Sequence, residues 1–332
     1  MAPDAWSFLF GLGRFGVLLF FFHTSFVLMQ SLDVSRGAYW ALRFYVRRAF
    51  RIYPLALLFV ALAVASGMPS APWNPPEAPD HRFFTVTVNC LLVQNLFDRP
   101  SIVAPMWSLP IEVQMYIVLP LIFRLFDHRN WRMRAALVAG AGMALAGGVF
   151  ATRHRVFNSG LHLGLLVYVP WFVAGALAYR LTLERKQTPP WYAWIWGALV
   201  LAVVIVGVSA GTLVAEWALC GLLAVLFPRF RDLAPGWLST ICKAIAKYSY
   251  GIYLSHPFAF WIAFTLIGDR VHSTLFRGVV CAALTVLSSV VVFHALEEPL
   301  INVGKRLALR LEQRGVTAGR DTEIASAASS PG

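Results

Sequence analysis

Ten apolar runs are strung along this chain, and they constrain its fold more than any other feature. They fall at about 15–31, 53–67, 83–97, 107–125, 134–151, 164–182, 191–209, 213–228, 249–267 and 277–299. A helix crossing a bilayer core needs about 20 mainly apolar residues. The chain is 58% hydrophobic and only 13% charged, with a mean hydropathy of +0.66. A soluble domain carries about 25% charged residues, so a soluble fold is excluded. No loop between the runs is large enough to form a soluble domain. The expected fold class is therefore all-α: a polytopic transmembrane helix bundle occupying residues 1–310. Residues 311–332 are polar and close on Ala-Ser-Ala-Ala-Ser-Ser-Pro-Gly. They are expected to form a disordered cytoplasmic tail.

The net charge of +12 would suggest nucleic acid in a soluble protein. Here Lys and Arg gather in short segments between apolar runs, which reports orientation, so no nucleic-acid partner is expected. Segment 32–52 sets Arg36, Arg43, Arg47, Arg48 and Arg51 against Asp33, which places it in the cytoplasm. If all ten runs cross, the basic loop 124–134, with Arg124, Arg129, Arg132 and Arg134, lands outside. The basic loops 180–190 and 229–247 then land outside too. One change repairs all three conflicts. The run 83–97 holds Asn89, Gln94 and Asn95 and is the most polar of the ten. If it does not cross, every basic loop becomes cytoplasmic, as does the tail with Lys305, Arg306 and Arg310. The expectation is nine spans, with 83–97 re-entrant or peripheral, the N-terminus outside and the C-terminus cytoplasmic. Non-crossing backbone at membrane depth must be shielded by protein or face a wet cavity. That makes 83–97 a candidate wall of a functional site. Only Arg14 precedes the first run and no cleavage site follows, so 15–31 reads as a retained span. The cysteines Cys90, Cys220, Cys242 and Cys281 are widely separated, which predicts neither a disulfide framework nor a metal site.

Ionisable groups inside apolar spans are costly, and they mark the candidate sites. In Trp107-Ser-Leu-Pro-Ile-Glu112-Val-Gln-Met-Tyr116, residues Ser108, Glu112 and Tyr116 are four apart and share a helix face. Glu112 needs a partner or a proton at that depth, so it serves either a structural hydrogen bond or chemistry. In Tyr248-Ser-Tyr-Gly-Ile-Tyr253-Leu-Ser-His256-Pro257, residues Ser249, Tyr253 and His256 lie on one stripe. His256 can act as acid, base or hydrogen-bond anchor. In Tyr45-Val-Arg47-Arg48-Ala-Phe-Arg51-Ile-Tyr53-Pro54, arginines on successive turns can clamp phosphates, or simply anchor the helix and meet anionic lipid. His294-Ala-Leu-Glu297-Glu298-Pro299 reads as an ordinary charged helix end, and His23 lies mid-span.

These residues also carry a resemblance. The chain resembles acyltransferase family 3, integral membrane acyltransferases that include bacterial O-antigen and surface-glycan O-acetyltransferases. Gly16-Val-Leu-Leu-Phe-Phe-Phe looks like the family's second-helix pattern, and Arg48-Ala-Phe-Arg51-Ile-Tyr-Pro54 looks like its cytoplasmic arginine segment. Trp107-Ser-Leu-Pro-Ile-Glu112, Ser249 to Pro257 and Glu298-Pro299 resemble three later motifs in the same order. The resemblance implies a bundle of about ten helices that transfers an acyl group, usually acetyl from acetyl-CoA, to a hydroxyl on a carbohydrate or lipid-linked glycan. It implies acyl-CoA as a co-substrate rather than a bound cofactor, membrane lipids as surroundings, and the cell inner membrane as location. It implies catalytic roles for Glu112 and His256. Substrate-binding roles fall to Arg47, Arg48, Arg51, Trp107, Ser108, Tyr116 and Tyr253. The family's first helix, with an arginine and a histidine expected to act as base, has no match here, and Thr24-Ser25-Phe26 replaces the usual serine-glycine-phenylalanine. Two alternatives stay open: a non-catalytic glycan or lipid transporter, and an inactive truncated acyltransferase. No inverted repeat is evident, which weighs against transport.

Overall fold

The computed structural model describes residues 5–71, 80, 82–151, 163–184, 193–210, 213–230, 234–268 and 273–328. Every regular element among them is helical, with no β-strand. The α-helices run α1 Ala5–Val34, α2 Trp40–Ser66, α3 Phe83–Cys90, α4 Ser108–Phe126, α5 Trp131–Ala151 and α6 Val169–Leu183. They continue as α7 Ala193–Ala210, α8 Leu213–Leu226, α9 Trp237–Phe260, α10 Thr274–Val292 and α11 Glu298–Ala328. Short π-helical stretches follow α9 at Trp261–Leu266 and join α10 to α11 at Phe293–Glu297. Contacts divide the chain into two units, one of Met1–Val34 and Ile111–Ser239, the other of Ser35–Pro110 and Thr240–Gly332.

Each expected apolar run coincides with a helix, but helix length and composition separate them. Among the described residues, five helical stretches are long and apolar enough to cross a membrane: Gly11–Val34, Trp40–Ser66, Ala104–Phe126, Leu166–Leu183 and Thr274–Gly315. Ile195–Val206 is apolar but shorter. Of the other three expected crossings, α8 has only 14 residues, α9 carries the polar stretch Tyr248–Pro257, and α5, at 134–151, is long enough but is not among the five. The run 83–97 forms no helix of spanning length. It breaks into the eight-residue α3, a turn with Leu92 at φ 55°, and a single 3₁₀ turn at Gln94–Leu96. Eight helical residues rise about 12 Å, against a hydrocarbon core of about 30 Å.

Lipid rather than water suits the exterior. On α10, Leu275, Val279, Val286, Leu287 and Val291 are exposed while Ser289 is buried. That is the inverse of a soluble amphipathic helix, and exposing such a stripe to water forfeits the burial energy of each side chain.

In the first unit, α1 and α6 form the tightest pair, and aromatic rings fill their seam. Phe15 meets Trp171 edge-on at 5.5 Å and Phe21 stacks on Phe172 at 4.8 Å. Phe22, Phe26 and Trp196 surround Phe227 at 4.6–5.8 Å. Gly175 lets the backbones touch, because a Cβ there would fall 2.1 Å from the Phe22 carbonyl oxygen. Buried Ser25 donates to the Phe172 carbonyl at 2.6 Å, and Tyr179 donates to Asp33 at 2.5 Å. Small residues and satisfied polar groups of this kind are what hold helices together in lipid, where apolar burial gives no preference for protein neighbours.

In the second unit, α2 packs along α11. Residues 311–328, expected as a disordered tail, lie in α11. Glu312 there is ion-paired to Arg43 at 2.7 Å, a contact that the polar composition of the tail gives no hint of.

Candidate functional site

The second unit gathers most of the polar residues singled out by sequence. Asn89 and Gln94, two of the side chains that make 83–97 polar, are buried inside it and hydrogen-bonded to its loop. Asn89 donates to the carbonyls of Thr85 at 2.9 Å and Pro100 at 3.0 Å, and accepts from the Ile102 amide at 3.0 Å. Gln94 donates to the Met106 carbonyl and to Ser101, both at 3.3 Å. These bonds tie the loop 98–107 to α3, and so fix the backbone that delivers Trp107 and Ser108. Backbone groups in a loop need such partners when water is excluded, which explains amides and not carboxylates at these positions.

Ser108 opens α4, and its Oγ lies 2.7 Å from the Tyr253 hydroxyl. Tyr253 also donates to the Pro105 carbonyl. A tyrosine hydroxyl has a single proton, so with that proton on Pro105 the Ser108 hydroxyl is the donor to Tyr253. Two motifs 145 residues apart in sequence are thereby joined. Three residues on, His256 places Nδ1 3.2 Å from the Ile252 carbonyl. A carbonyl only accepts, so this contact puts the ring proton on Nδ1 and leaves Nε2 as the basic nitrogen. Pro257 lacks an N–H and so makes no helix-ladder bond to the Tyr253 carbonyl at the same level. Ser249 does not join the pair: its hydroxyl turns back to the Ala246 carbonyl of its own helix at 2.9 Å.

The arginine segment is more committed than its sequence suggests. Arg47 donates to Ser35 at 2.8 Å. The Arg48 guanidinium lies 5.9 Å from the Phe44 ring centroid. Arg51 stands 3.4 Å from Glu297, whose side chain is 1% exposed against 35% for Arg51. Neither Glu297 nor Glu312 is evident as an arginine partner from sequence. The one available signal for Glu297 is an acid close to the end of an apolar run, where a charge needs an answer. Beside it, Tyr248, His294 and Glu298 form a hydrogen-bonded chain on the exposed side, with contacts of 3.2 and 2.9 Å. The i, i+4 spacing of His294 and Glu298 does foretell that pair.

The first unit holds Glu112 and Tyr116. Both are buried, at 4% and 6% exposure, and the Tyr116 hydroxyl donates to the Glu112 carboxylate. The one-turn spacing read from sequence is thus realised, and Tyr116 supplies a partner for the buried acid. His23 is on the exposed side of α1, away from the Ser25 contact. Outside the spans, Arg132 donates to Glu184 at 2.9 Å and Trp131 to the other oxygen at 2.5 Å. The Arg132 hydrogen bond, with that of Trp131, holds the Glu184 carboxyl below its ordinary range against a smaller opposing effect of burial. Among the described residues no group of three His, Cys, Asp or Glu side chains is placed to hold a metal ion.

Lipid-facing helices that carry buried acids, tyrosines and a histidine-proline motif define an integral membrane protein. The chain belongs to acyltransferase family 3: the family model, described as an acyltransferase domain, matches residues 2–294. It is also similar to a protein named "Putative acetyltransferase ORF330" of Acidianus two-tailed virus, with 26% identity over 323 residues, 91% of this chain and 84% of that protein. No solved structure matches the chain.

Proposed function

We propose that this chain is a membrane-bound O-acyltransferase that moves an acyl group, acetyl in the simplest case, from cytoplasmic acyl-CoA to a hydroxyl of a cell-surface carbohydrate or lipid-linked glycan. The observation that carries this reading is the family membership across residues 2–294. In this reading the bundle crosses the inner membrane nine times, with the N-terminus outside and the C-terminus in the cytoplasm. The 12 Å rise of about eight residues in α3 supports leaving 83–97 uncrossed.

The reaction needs a base for the acceptor hydroxyl and donors for the thioester oxygen as it becomes negative. The acceptor oxygen attacks the thioester carbon, the carbon–sulfur bond breaks, and CoA leaves as the thiol with the proton taken from the acceptor. His256 offers Nε2 for that proton, and Glu112 supplies a carboxyl for relay or acceptor positioning. Tyr253, one helical turn before His256, and Ser108, hydrogen-bonded to it, would bind substrate by turning their hydroxyls from each other and from Pro105 to the thioester, and Trp107 and Tyr116 would contribute further substrate contacts. Arg47, Arg48 and Arg51 hold the CoA phosphates, with Arg48 and Arg51 meeting them directly. Acyl-CoA is a co-substrate here, and the chemistry calls for no metal.

The test is transfer itself. Purified protein in vesicles receives labelled acetyl-CoA and surface polysaccharide, and base-labile label should appear in the polysaccharide. Acetyl-CoA binding with no label transferred to any hydroxyl acceptor would sink the reading. An Arg48→Ala, Arg51→Ala variant should lose acetyl-CoA affinity, and Glu112→Gln should lose transfer.

A further inference from the structure

The arginine segment does not stand alone. The helix α11 lies antiparallel along α2, so that α2 residue numbers fall as α11 numbers rise. A Cβ at Gly304 would come within 2.7 Å of the Phe50 Cβ, and one at Gly315 within 2.3 Å of the Ala38 Cβ. The two helices therefore touch from one end of the segment to the other. Two carboxylates close the ends. Glu297, in the turn that leads into α11, reaches Arg51 at 3.4 Å, and Glu312, four turns further on, reaches Arg43 at 2.7 Å. Arg47 and Arg48 lie between them.

Burial makes both contacts consequential. The Glu297 side chain is 1% exposed, and neither of its oxygens has a hydrogen bond among the described residues. Arg51 is the cation this charge has to answer to, because a buried carboxylate without a counter-charge is strongly disfavoured. The Arg43 side chain is 7% exposed and Glu312 answers it in the same way. A guanidinium is a rigid fork with five N–H donors. Holding one nitrogen of Arg51 at Glu297 orients the fork, while its 35% exposure leaves other donors open to a ligand. A fork that is oriented beforehand loses less side-chain freedom when it binds.

We infer that Glu297 and Glu312 are positioning residues for the acyl-CoA donor, clasping the two ends of the arginine segment so that its guanidinium groups are aimed at the CoA phosphates. This rests on the acyltransferase reading of the segment. It also assigns a role to α11, half of which carries the polar composition of a tail.

The experiment compares Glu297→Gln and Glu312→Gln with the wild-type chain in vesicles. Acetyl-CoA binding is measured first, then KM for acetyl-CoA and kcat, then the rate of tryptic cleavage within 305–314. The expected result is a rise in KM of roughly fivefold to tenfold for each variant with kcat within about twofold, the size of one lost charged contact. Cleavage should accelerate for Glu312→Gln, and the swap Arg43→Glu with Glu312→Arg should restore both KM and protease resistance. Unchanged KM with accelerated cleavage overturns the inference while leaving the acyltransferase reading intact. A fall in kcat at unchanged KM overturns it too, because that assigns the carboxylates to chemistry. Wild-type protein that fails to bind acetyl-CoA refutes the acyltransferase reading, and the inference falls with it.

Discussion

Replacing Gly175 by alanine tests the backbone contact on which the first unit is built. The added Cβ would lie 2.1 Å from the Phe22 carbonyl oxygen and 2.9 Å from the Ser25 Cβ. The obstacle is backbone, so no rotamer change relieves it. Restoring ordinary contact requires α1 and α6 to part by about 1.3 Å, the difference between 2.1 Å and the 3.4 Å at which ordinary contact begins. Overpacking of this kind costs about 1–3 kcal/mol. The same separation breaks the buried 2.6 Å bond from Ser25 to the Phe172 carbonyl, which adds about 1 kcal/mol. The Phe15–Trp171 and Phe21–Phe172 contacts share the seam and loosen with it. The expected effect is a melting temperature in detergent lowered by roughly 5–10 °C. Gly221→Ala in α8 is the control, because nothing lies within 4 Å of a Cβ there. Alanine in a helix interior is favoured over glycine by about 0.5–1 kcal/mol, so that variant should match or exceed the wild-type chain. Both are read by intrinsic tryptophan fluorescence on heating. If Gly175→Ala melts at or above Gly221→Ala, the close approach of α1 and α6 is refuted.

Tyr253→Phe removes the hydroxyl that meets Ser108 and Pro105, and should lower acyl transfer about tenfold, or about 1.4 kcal/mol, with acetyl-CoA affinity unchanged. Equal turnover in the two proteins would count against Tyr253. Asn89→Ala orphans the Pro100 carbonyl and the Ile102 amide, at about 1–3 kcal/mol each if no water replaces the side chain, and should loosen the loop before Trp107. Faster amide exchange at 100–107, with α2 unaffected, is the expected signature. Glu184→Gln addresses pH. Arg132 and Trp131 depress the folded-state pKa of Glu184, so its contribution is complete above the unfolded carboxylate value and disappears as pH falls through the folded one. The wild-type advantage in melting temperature over Glu184→Gln should therefore be constant at neutral pH, begin to fall near the ordinary carboxylate value of about 4.3 and vanish in stronger acid. An advantage that grows on acidification would reverse the assigned sign.

How much of this was legible in the sequence depends on the distance between the partners. Pattern within one element was readable. Apolar runs marked the helices, and spacing of four put Glu112 and Tyr116 on one face, where they meet; the same spacing joins His294 to Glu298 in what read as an ordinary charged helix end. At 83–97 the polar residues Asn89 and Gln94 coincide with a helix, α3, that stops after eight residues. Contacts between elements were not readable. Nothing local to Ser108 points to Tyr253, because the pairing is made by two helices whose neighbours are chosen by the whole bundle. Composition gave no sign of the contact made by the segment after 310, for the same reason. Its residues look solvated one by one, yet Gly304 and Gly315 remove the side chains that would keep α11 away from α2, and Glu312 is set against a buried cation.

The same logic explains why the arginines were ambiguous. Positive charge at the cytoplasmic ends of helices is explained by orientation alone, so five arginines in one segment signal no ligand by themselves. What distinguishes them is their counter-charges. An anchoring arginine reaches lipid headgroups or water and needs no protein carboxylate. Arg43 and Arg51 are instead answered by acids from a helix that lies far along the chain, at the energetic cost of burying Glu297. Burying an ion pair is seldom the most stable solution, because well-packed apolar side chains in its place are often as favourable. Two pairs, each with one buried member, bracketing Arg47 and Arg48 therefore argue that the direction of the guanidinium groups matters, beyond the sign of their charge.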